Sequence, residues 1–181
     1  MNLLALSECP CLKQIIIPPF VTKIGDNAFA CSSTAYLSKL TQITIPSSVT
    51  VIGKSAFKDL KNLKKVINYS VITKIDKNLF RNSKSLIDVS IPSTVTSIGK
   101  GAFENCEKLS TILIPSSVES IEENAFCSCS SLADLSIPQS VKSIGEDAFF
   151  QCDSLKRIFV PSSKVSELSK YIPKNIKIIK T

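Results

Sequence analysis

One phrase recurs along the chain. Residues 45–57 read IPSSVTVIGKSAF, residues 91–103 read IPSTVTSIGKGAF and residues 137–149 read IPQSVKSIGEDAF. The prolines and phenylalanines of the phrase fall on a 23-residue grid, namely Pro46, Pro92, Pro115, Pro138 and Pro161, then Phe57, Phe80, Phe103, Phe126 and Phe149. Tyr69 fills the one vacant proline place. Because a fixed period of about 20–50 residues is typical of repeat architectures, the chain is predicted to be a stack of similar coils.

The unit reads L-x-x-I-x-I-P-S-S-V-T-x-I-G-x-x-A-F-x-x-C-x-x when it is written from its leucine. The alternation in L-x-x-I-x-I predicts a short strand, and the proline after it predicts the end of that strand. The glycine, at positions 25, 53, 99 and 145, is predicted to mark a bend with positive φ. The Ala-Phe segment is predicted to form a helical turn. One such unit buries too few apolar groups to fold alone, so stacking must complete the core.

The combination of L-x-x-I-x-I-P with V-x-x-I-G-x-x-A-F-x-x-C resembles the BspA-like leucine-rich repeats. The resemblance extends from about Leu6 to Pro161. It implies a right-handed leucine-rich-repeat solenoid with a parallel β-sheet on one face and with short β segments and helical turns elsewhere. The better-known members are cell-surface proteins that bind host matrix proteins or other cells, so the resemblance also implies a role in adhesion or host-protein binding.

The register of the repeats predicts one solenoid domain over residues 1–181. A partial N-terminal repeat is expected at 1–17, and 23-residue repeats are expected over about 18–161 with a five-residue insertion within 30–40. The register fails after Pro161, so residues 162–181 are predicted to form a C-terminal cap. The third unit departs from the pattern by carrying Asn68-Tyr69 for Ile-Pro and Asp76 for the glycine, which leaves its turn geometry open.

The residue types argue against a catalytic or metal site. The chain contains no histidine, so neither a Ser-His-Asp triad nor a His-ligated metal centre can form. Three of the seven cysteines, Cys106, Cys129 and Cys152, occupy one place in successive units and are predicted to form a buried ladder of small apolar side chains. No catalytic residue, metal ligand or cofactor is therefore predicted, and the chain is not expected to be an enzyme.

The charge, net +7, is distributed unevenly. Residues 50–84 are basic, residues 85–153 are acidic and the remainder is basic again. This pattern is open to two interpretations, which are steering or head-to-tail association of charged partners, and simple variation of a solvated surface. Nucleic acid is not expected as a partner, because the positive charge is interrupted and no aromatic platform accompanies it.

The strand alternation also predicts which side chains face outward on the sheet and are free to contact a protein partner. They are Gln14, Ile16, Gln42, Thr44, Lys65, Ile67, Asp88, Ser90, Thr111, Leu113, Asp134, Ser136, Arg157 and Phe159. Arg157 and Phe159 are the strongest candidates, because arginine and aromatic residues dominate binding hot spots.

The predicted function is a noncatalytic protein-protein interaction module. The alternative is a self-associating structural solenoid that uses its charge-segregated surfaces, and salt-dependent oligomerisation would distinguish the two. No apolar run approaches the about 18 residues that a membrane span requires, and no secretory signal is evident. A secreted or cell-surface location follows only from the resemblance.

Overall fold

The computed structural model describes residues 12–31 and 39–181. Within these ranges the chain forms thirteen short strands: β1 (Gln14–Ile16), β2 (Lys23–Ile24), β3 (Gln42–Ile45), β4 (Val51–Ile52), β5 (Lys65–Asn68), β6 (Lys74–Ile75), β7 (Asp88–Val89), β8 (Ser97–Ile98), β9 (Ser120–Ile121), β10 (Asp134–Ser136), β11 (Ser143–Ile144), β12 (Arg157–Val160) and β13 (Lys177–Lys180). A single α-helix of the described residues, α1 (Val165–Leu168), lies between two 3-10 turns, Ser162–Lys164 and Ser169–Tyr171. No helix in the described ranges is long and apolar enough to cross a membrane.

All strand pairs are parallel, and the partners of most strands lie one coil away. On one face the sheet order is β1-β3-β5-β7, followed by a separate sheet β10-β12-β13. On a second face the orders are β2-β4 and β11-β9-β8-β6. Lys65 lies opposite Asp88 and Ile98 lies opposite Ile121, which is the 23-residue register of the sequence repeat. The predicted repeat solenoid is therefore confirmed.

The interior is a continuous column of the repeated apolar side chains. The six phenylalanines, Phe29, Phe57, Phe80, Phe103, Phe126 and Phe149, are buried and stack ring on ring with centroids 5.3–5.9 Å apart and planes within 17° of parallel. The leucines that begin the units, Leu40, Leu63, Leu86, Leu109, Leu132 and Leu155, are also buried. Burial of each phenylalanine contributes about 1.5–3 kcal/mol, so the aligned rings form the core as the period predicts.

The Pro-Ser-Ser-Val segment forms a turn after the strand and also connects neighbouring coils. The amide of Val118 donates to the Pro115 carbonyl at 3.0 Å. The second hydroxyl of the segment reaches back one coil: Ser117 Oγ donates to the Val95 carbonyl at 2.6 Å, and Ser140 Oγ donates to the Val118 carbonyl at 2.6 Å. These serines therefore satisfy backbone acceptors that would otherwise need water.

The Ala-Phe turns form a third ladder of hydrogen bonds between coils. The amides of Asn78, Phe80 and Asn82 donate to carbonyls of the following coil at 2.8–2.9 Å. The alternate amides between them close turns within their own coil, as Arg81 does to the Asn78 carbonyl at 3.1 Å. Coils are thus bonded to each other on all three sides.

The prediction that the repeated glycine adopts positive φ is wrong. Positive φ falls two residues later, at Asn27, Ser55, Asn78, Gly101, Asn124 and Asp147, and again at Asp59, Asn82, Asn105, Ser128 and Gln151. Asn, Asp and Gly tolerate that region best. Gly99 is instead required by close approach, because a Cβ atom there would lie 2.7 Å from the Ile75 carbonyl oxygen of the preceding coil.

The cysteine ladder is confirmed, but its side chains are more than small apolar groups. Cys106, Cys129 and Cys152 are buried, and each thiol donates to the carbonyl of a phenylalanine in the preceding coil at 3.1–3.3 Å. Ser83 occupies the same place one coil earlier and makes the same bond to Phe57 O at 3.1 Å. Burial raises the pKa of the Cys129 thiol well above its usual range and that of Cys152 to about 12, so these thiols remain protonated donors at neutral pH. Cys9 lies outside the described residues.

The irregular third unit keeps its turn by different chemistry. Asn68 Oδ1 accepts hydrogen bonds from the Ser70 amide at 3.1 Å and from the Ser70 hydroxyl at 2.6 Å, which is an Asx turn. Asp76 accepts from the Lys77 amide at 2.7 Å and pairs with Lys74 at 2.9 Å. The pKa of Asp76 is lowered, because these contacts outweigh the opposing effect of its burial.

The C-terminal residues 162–181 pack against the last coil. Leu168, Ile172 and Ile176 are buried, and β13 extends the sheet beside β12. The assignment of this segment as a cap and of 1–181 as a single domain stays a prediction. Most of the partial N-terminal repeat and of the 30–40 insertion lies outside the described residues.

We expect Phe103→Ala to lower the free energy of unfolding by about 3–5 kcal/mol, because it opens a cavity in the ring stack. Urea denaturation followed by circular dichroism measures this. Phe150→Ala is the matched control: its ring is 50% exposed, so it should cost about 1 kcal/mol or less. Equal losses in the two variants would show that the stacked rings are not the core.

Gly99→Ala should destabilise the protein by about 1–3 kcal/mol, because the new methyl group would press on the backbone of the preceding coil. Gly25→Ala provides the comparison, since a Cβ atom there would meet nothing within 4 Å. Thermal unfolding of both variants tests the close approach. A Gly99→Ala protein as stable as Gly25→Ala contradicts it.

Candidate interaction surface

The fourteen side chains predicted to face outward all lie on the first face, and none of them is buried. They form two parallel rows along the solenoid. The first row contains Gln14, Gln42, Lys65, Asp88, Thr111, Asp134 and Arg157. The second row contains Ile16, Thr44, Ile67, Ser90, Leu113, Ser136 and Phe159. Whether these rows contact a partner stays a prediction.

The charges of the first row are paired across neighbouring coils. Lys65 Nζ lies 3.0 Å from Asp88 Oδ2. Arg157 donates to both carboxylate oxygens of Asp134, from Nε at 2.9 Å and from Nη2 at 2.5 Å. Thr111 separates the two pairs, so the row reads positive, negative, neutral, negative, positive. Asp88 and Asp134 therefore each lie between their own cation and Thr111.

The second row alternates between apolar and polar side chains from coil to coil. Ile16, Leu113 and Phe159 alternate with residues such as Ser90 and Ser136, so apolar groups recur about every 10 Å along the face. The exposed fraction is 68% for Ile16 and 81% for Leu113. The Arg157 guanidinium lies 5.7 Å from the centre of the Phe159 ring, which holds this aromatic beside a cation.

The sheet of this face is interrupted between β7 and β10, although a continuous sheet was expected. Residues 110–114 form no strand, and the amides of Thr111, Ile112 and Leu113 make no backbone hydrogen bond within the described ranges. Ile112 is half-buried, whereas the equivalent Val66 and Ile158 are buried. The result is an open depression of about 450 Å³ lined by residues 87–90, 111–114 and 134–136, called here the Leu113 depression.

Two contributors to this face lie outside the predicted set. Ile87 lines the Leu113 depression and is 47% exposed, but the strand alternation did not assign it to the outward rows. Strand β13 adds Lys177 opposite Arg157 and Ile179 opposite Phe159. The 23-residue repeat does not predict this pairing, because the offset of β13 from β12 is 20 residues.

Part of the segregated charge of the sequence is paired within the chain. Basic residues of one coil pair with acidic residues of the next, as in Arg81–Glu104 at 2.8 Å, Lys84–Glu107 at 2.7 Å and Lys100–Glu123 at 2.8 Å. Exposed pairs of this kind contribute only about 0–1 kcal/mol each. They nevertheless leave fewer uncompensated charges at the boundary between the basic and acidic segments.

The described residues present no obvious reaction centre. No group of three or more cysteine or acidic side chains in these ranges could hold a metal ion. The buried polar side chains of these ranges, Ser70 and Ser83, each donate a hydrogen bond that completes a turn or a ladder. The absence of catalytic residues, metals and cofactors stays a prediction.

Comparison with known proteins identifies the family. The sequence model of the BspA type leucine rich repeat region, in six copies, matches residues 2–87, 32–130 and 73–181. The chain therefore belongs to the BspA-type leucine-rich repeat family. No curated protein sequence matches it significantly.

Solved structures of similar sequence share the fold. A leucine-rich repeat protein from Bacteroides ovatus is 31% identical over 94% of this chain, with a TM-score of 0.79. The pneumococcal vaccine antigen PcpA is 30% identical over 84%, with a TM-score of 0.73. A leucine rich cell surface protein from Faecalibacterium prausnitzii is 31% identical over 82%, with a TM-score of 0.61. This chain spans 42%, 41% and 48% of those three chains respectively.

The Asp134–Arg157 pair should be visible in the titration of Asp134. The hydrogen bond from Arg157 lowers the pKa of this carboxyl, so the pair persists as the pH falls and is lost only when the pH passes through the lowered value. Arg157→Ala should return the pKa of Asp134 toward about 3.9. Carboxyl carbon NMR shifts measure it. Lys156→Ala, which removes a nearby charge but not this bond, should leave the Asp134 titration unchanged; an equal rise there would contradict the assignment.

Proposed function

We propose that the chain is a noncatalytic protein-protein interaction module that binds a protein partner through its first face. The observation that carries this proposal is the second row of the face, where apolar side chains are exposed on an open sheet. Leu113 and Ile16 are exposed and do not belong to the buried core. Large apolar side chains that recur along one exposed face favour contact with a protein partner, because their burial there removes apolar area from water.

The architecture supports the same function. Solenoids present extended faces on which the framework is fixed and the outward residues vary from coil to coil. Leucine-rich repeats are generally protein-interaction modules, and the proposal treats residues 1–181 as one such domain. Arg157 and Phe159 combine a guanidinium and an aromatic ring at 5.7 Å, which is a pairing enriched in binding hot spots.

We place the protein at a cell surface in this proposal. Two of the similar structures are described as a cell surface protein and as a vaccine antigen. An adhesion or host-binding role at that surface would use the first face.

Self-association through segregated charges is the less favoured function. The ion pairs between neighbouring coils, such as Arg81–Glu104 and Lys84–Glu107, already satisfy many of the charges that a second copy would have to meet. Surface charge that is paired within one molecule steers a partner less strongly than unpaired charge does.

The double variant Arg157→Ala, Phe159→Ala should recover at least about tenfold less partner than the wild type in a pull-down quantified by mass spectrometry, because it removes a hot-spot pair. The control is Lys142→Ala, Phe150→Ala, which removes an ion-paired cation and a half-exposed aromatic away from the first face. Both variants must keep the wild-type circular dichroism spectrum. If wild type and both variants recover the same proteins equally, the first face is not the docking surface.

A further inference from the structure

We propose that the Leu113 depression receives an arginine side chain of the protein partner together with an adjoining aliphatic side chain. This inference rests on the proposed function, because it names the partner chemistry of the same face. It depends on three features of the depression: its shape, its free backbone donors and its paired carboxylates.

The shape favours insertion of a side chain. Elsewhere on the face the strands pair continuously, so a partner can only lie on the surface. Between β7 and β10 the sheet opens, and Ile112 is only half-buried. Leu113 and Ile87 stand beside the opening at 81% and 47% exposure. An aliphatic side chain placed there would cover three apolar groups at once.

The backbone in the depression also has unused hydrogen-bonding capacity. The amides of Thr111, Ile112 and Leu113 make no backbone hydrogen bond in the part of the chain that the structure describes. The amides of an extended segment lie in the plane of the sheet, so a carbonyl oxygen of the partner can reach these donors only through the opening between β7 and β10. A carbonyl group next to the inserted side chain is therefore expected to accept from one of them.

The two carboxylates of the depression favour a cation at short range, although each is already paired with a cation of the chain. Asp88 and Asp134 line opposite sides of the depression, two coils or about 10 Å apart. Their own cations, Lys65 and Arg157, lie on the outer sides. Asp88 Oδ1 accepts no hydrogen bond from the described residues, and each oxygen of a carboxylate can accept more than one. A positive group over Thr111 would meet a carboxylate on either side.

Arginine fits this position better than lysine. A guanidinium carries five donors directed to several sides and is more weakly hydrated than an ammonium, so it can serve two separated carboxylates while it rests on apolar surface. A lysine ammonium is compact and would reach one carboxylate at a time. An acidic partner segment would be repelled, so the site is expected to discriminate between partners by their charge as well as by their shape.

The test uses the full chain and a defined probe, the peptide acetyl-Ala-Leu-Arg-Leu-Ala-amide, with amide NMR spectra as the readout. We expect shifts confined to the signals of residues 87–90, 111–114 and 133–136, with a dissociation constant of about 1 mM or tighter. Replacing the arginine by uncharged citrulline should weaken binding about tenfold, since charged hydrogen bonds are lost. A glutamate peptide should not bind.

Variants of the protein separate the contributions. Asp88→Asn with Asp134→Asn should weaken the arginine peptide about tenfold and improve the glutamate peptide, because the cations Lys65 and Arg157 are then uncompensated. Leu113→Ser should weaken all peptides that bind. Asp153→Asn and Val51→Ser, an exposed acid and an exposed aliphatic residue outside the depression, should change nothing.

Each contrary outcome has a definite meaning. No shift at millimolar peptide, equal binding of the glutamate peptide, or shifts centred on Phe159 would overturn the assignment of the depression. Loss of the depression signals with increasing protein concentration alone would assign a second copy of the chain as its occupant and also overturn the proposal. The wider interaction function is judged separately by the Arg157, Phe159 pull-down, which can succeed when the peptide fails.

Discussion

Every part of this molecule depends on the equal spacing of its coils. Parallel strands lie about 4.8 Å apart, and the phenylalanine rings stack at 5.3–5.9 Å between centroids, so ring stacking and backbone hydrogen bonding can be satisfied together. The 23-residue spacing keeps each ring and each set of amides opposite those of the next coil. The spacing can grow where the segments on either side stay in register, because Phe29 and Phe57 are 28 residues apart and their rings still stack at 5.5 Å.

This constraint also determines which residues can serve recognition. Positions that point inward, or that donate across coils as Ser117 and Cys129 do, have little freedom to vary. The side chains of the two outward rows neither fill the interior nor donate to the backbone of a neighbouring coil, and they carry the differences between coils. At the Leu113 depression the regular framework is interrupted, because strand pairing stops there while apolar groups remain close to the surface.

Periodicity predicted the features that depend on side-chain size and direction: the phenylalanine column, the cysteine ladder and the outward rows. It failed where backbone geometry decides. The positions with positive φ are occupied by Asn, Ser, Asp, Gln and Gly, so residue identity does not reveal their shared conformation. The glycine that recurs two residues earlier was therefore predicted to have positive φ in their place. The interruption at residues 110–114 has no local signature, because Thr-Ile-Leu-Ile is as strand-like as its neighbours. The pairing of β13 was hidden by its 20-residue offset.

The ion pairs between successive coils have a consequence for how such arrays change in evolution. Removal of residues 86–108 would shorten the stack by one coil and keep the remaining coils in register, yet Arg81 would then face Cys127 and Lys84 would face Ser130 in place of Glu104 and Glu107. The buried side chains are similar in all coils, whereas the charged surface side chains differ from coil to coil. The fold thus tolerates the gain or loss of a whole unit. The ion pairs between adjacent units, in contrast, form only when the units keep their present order.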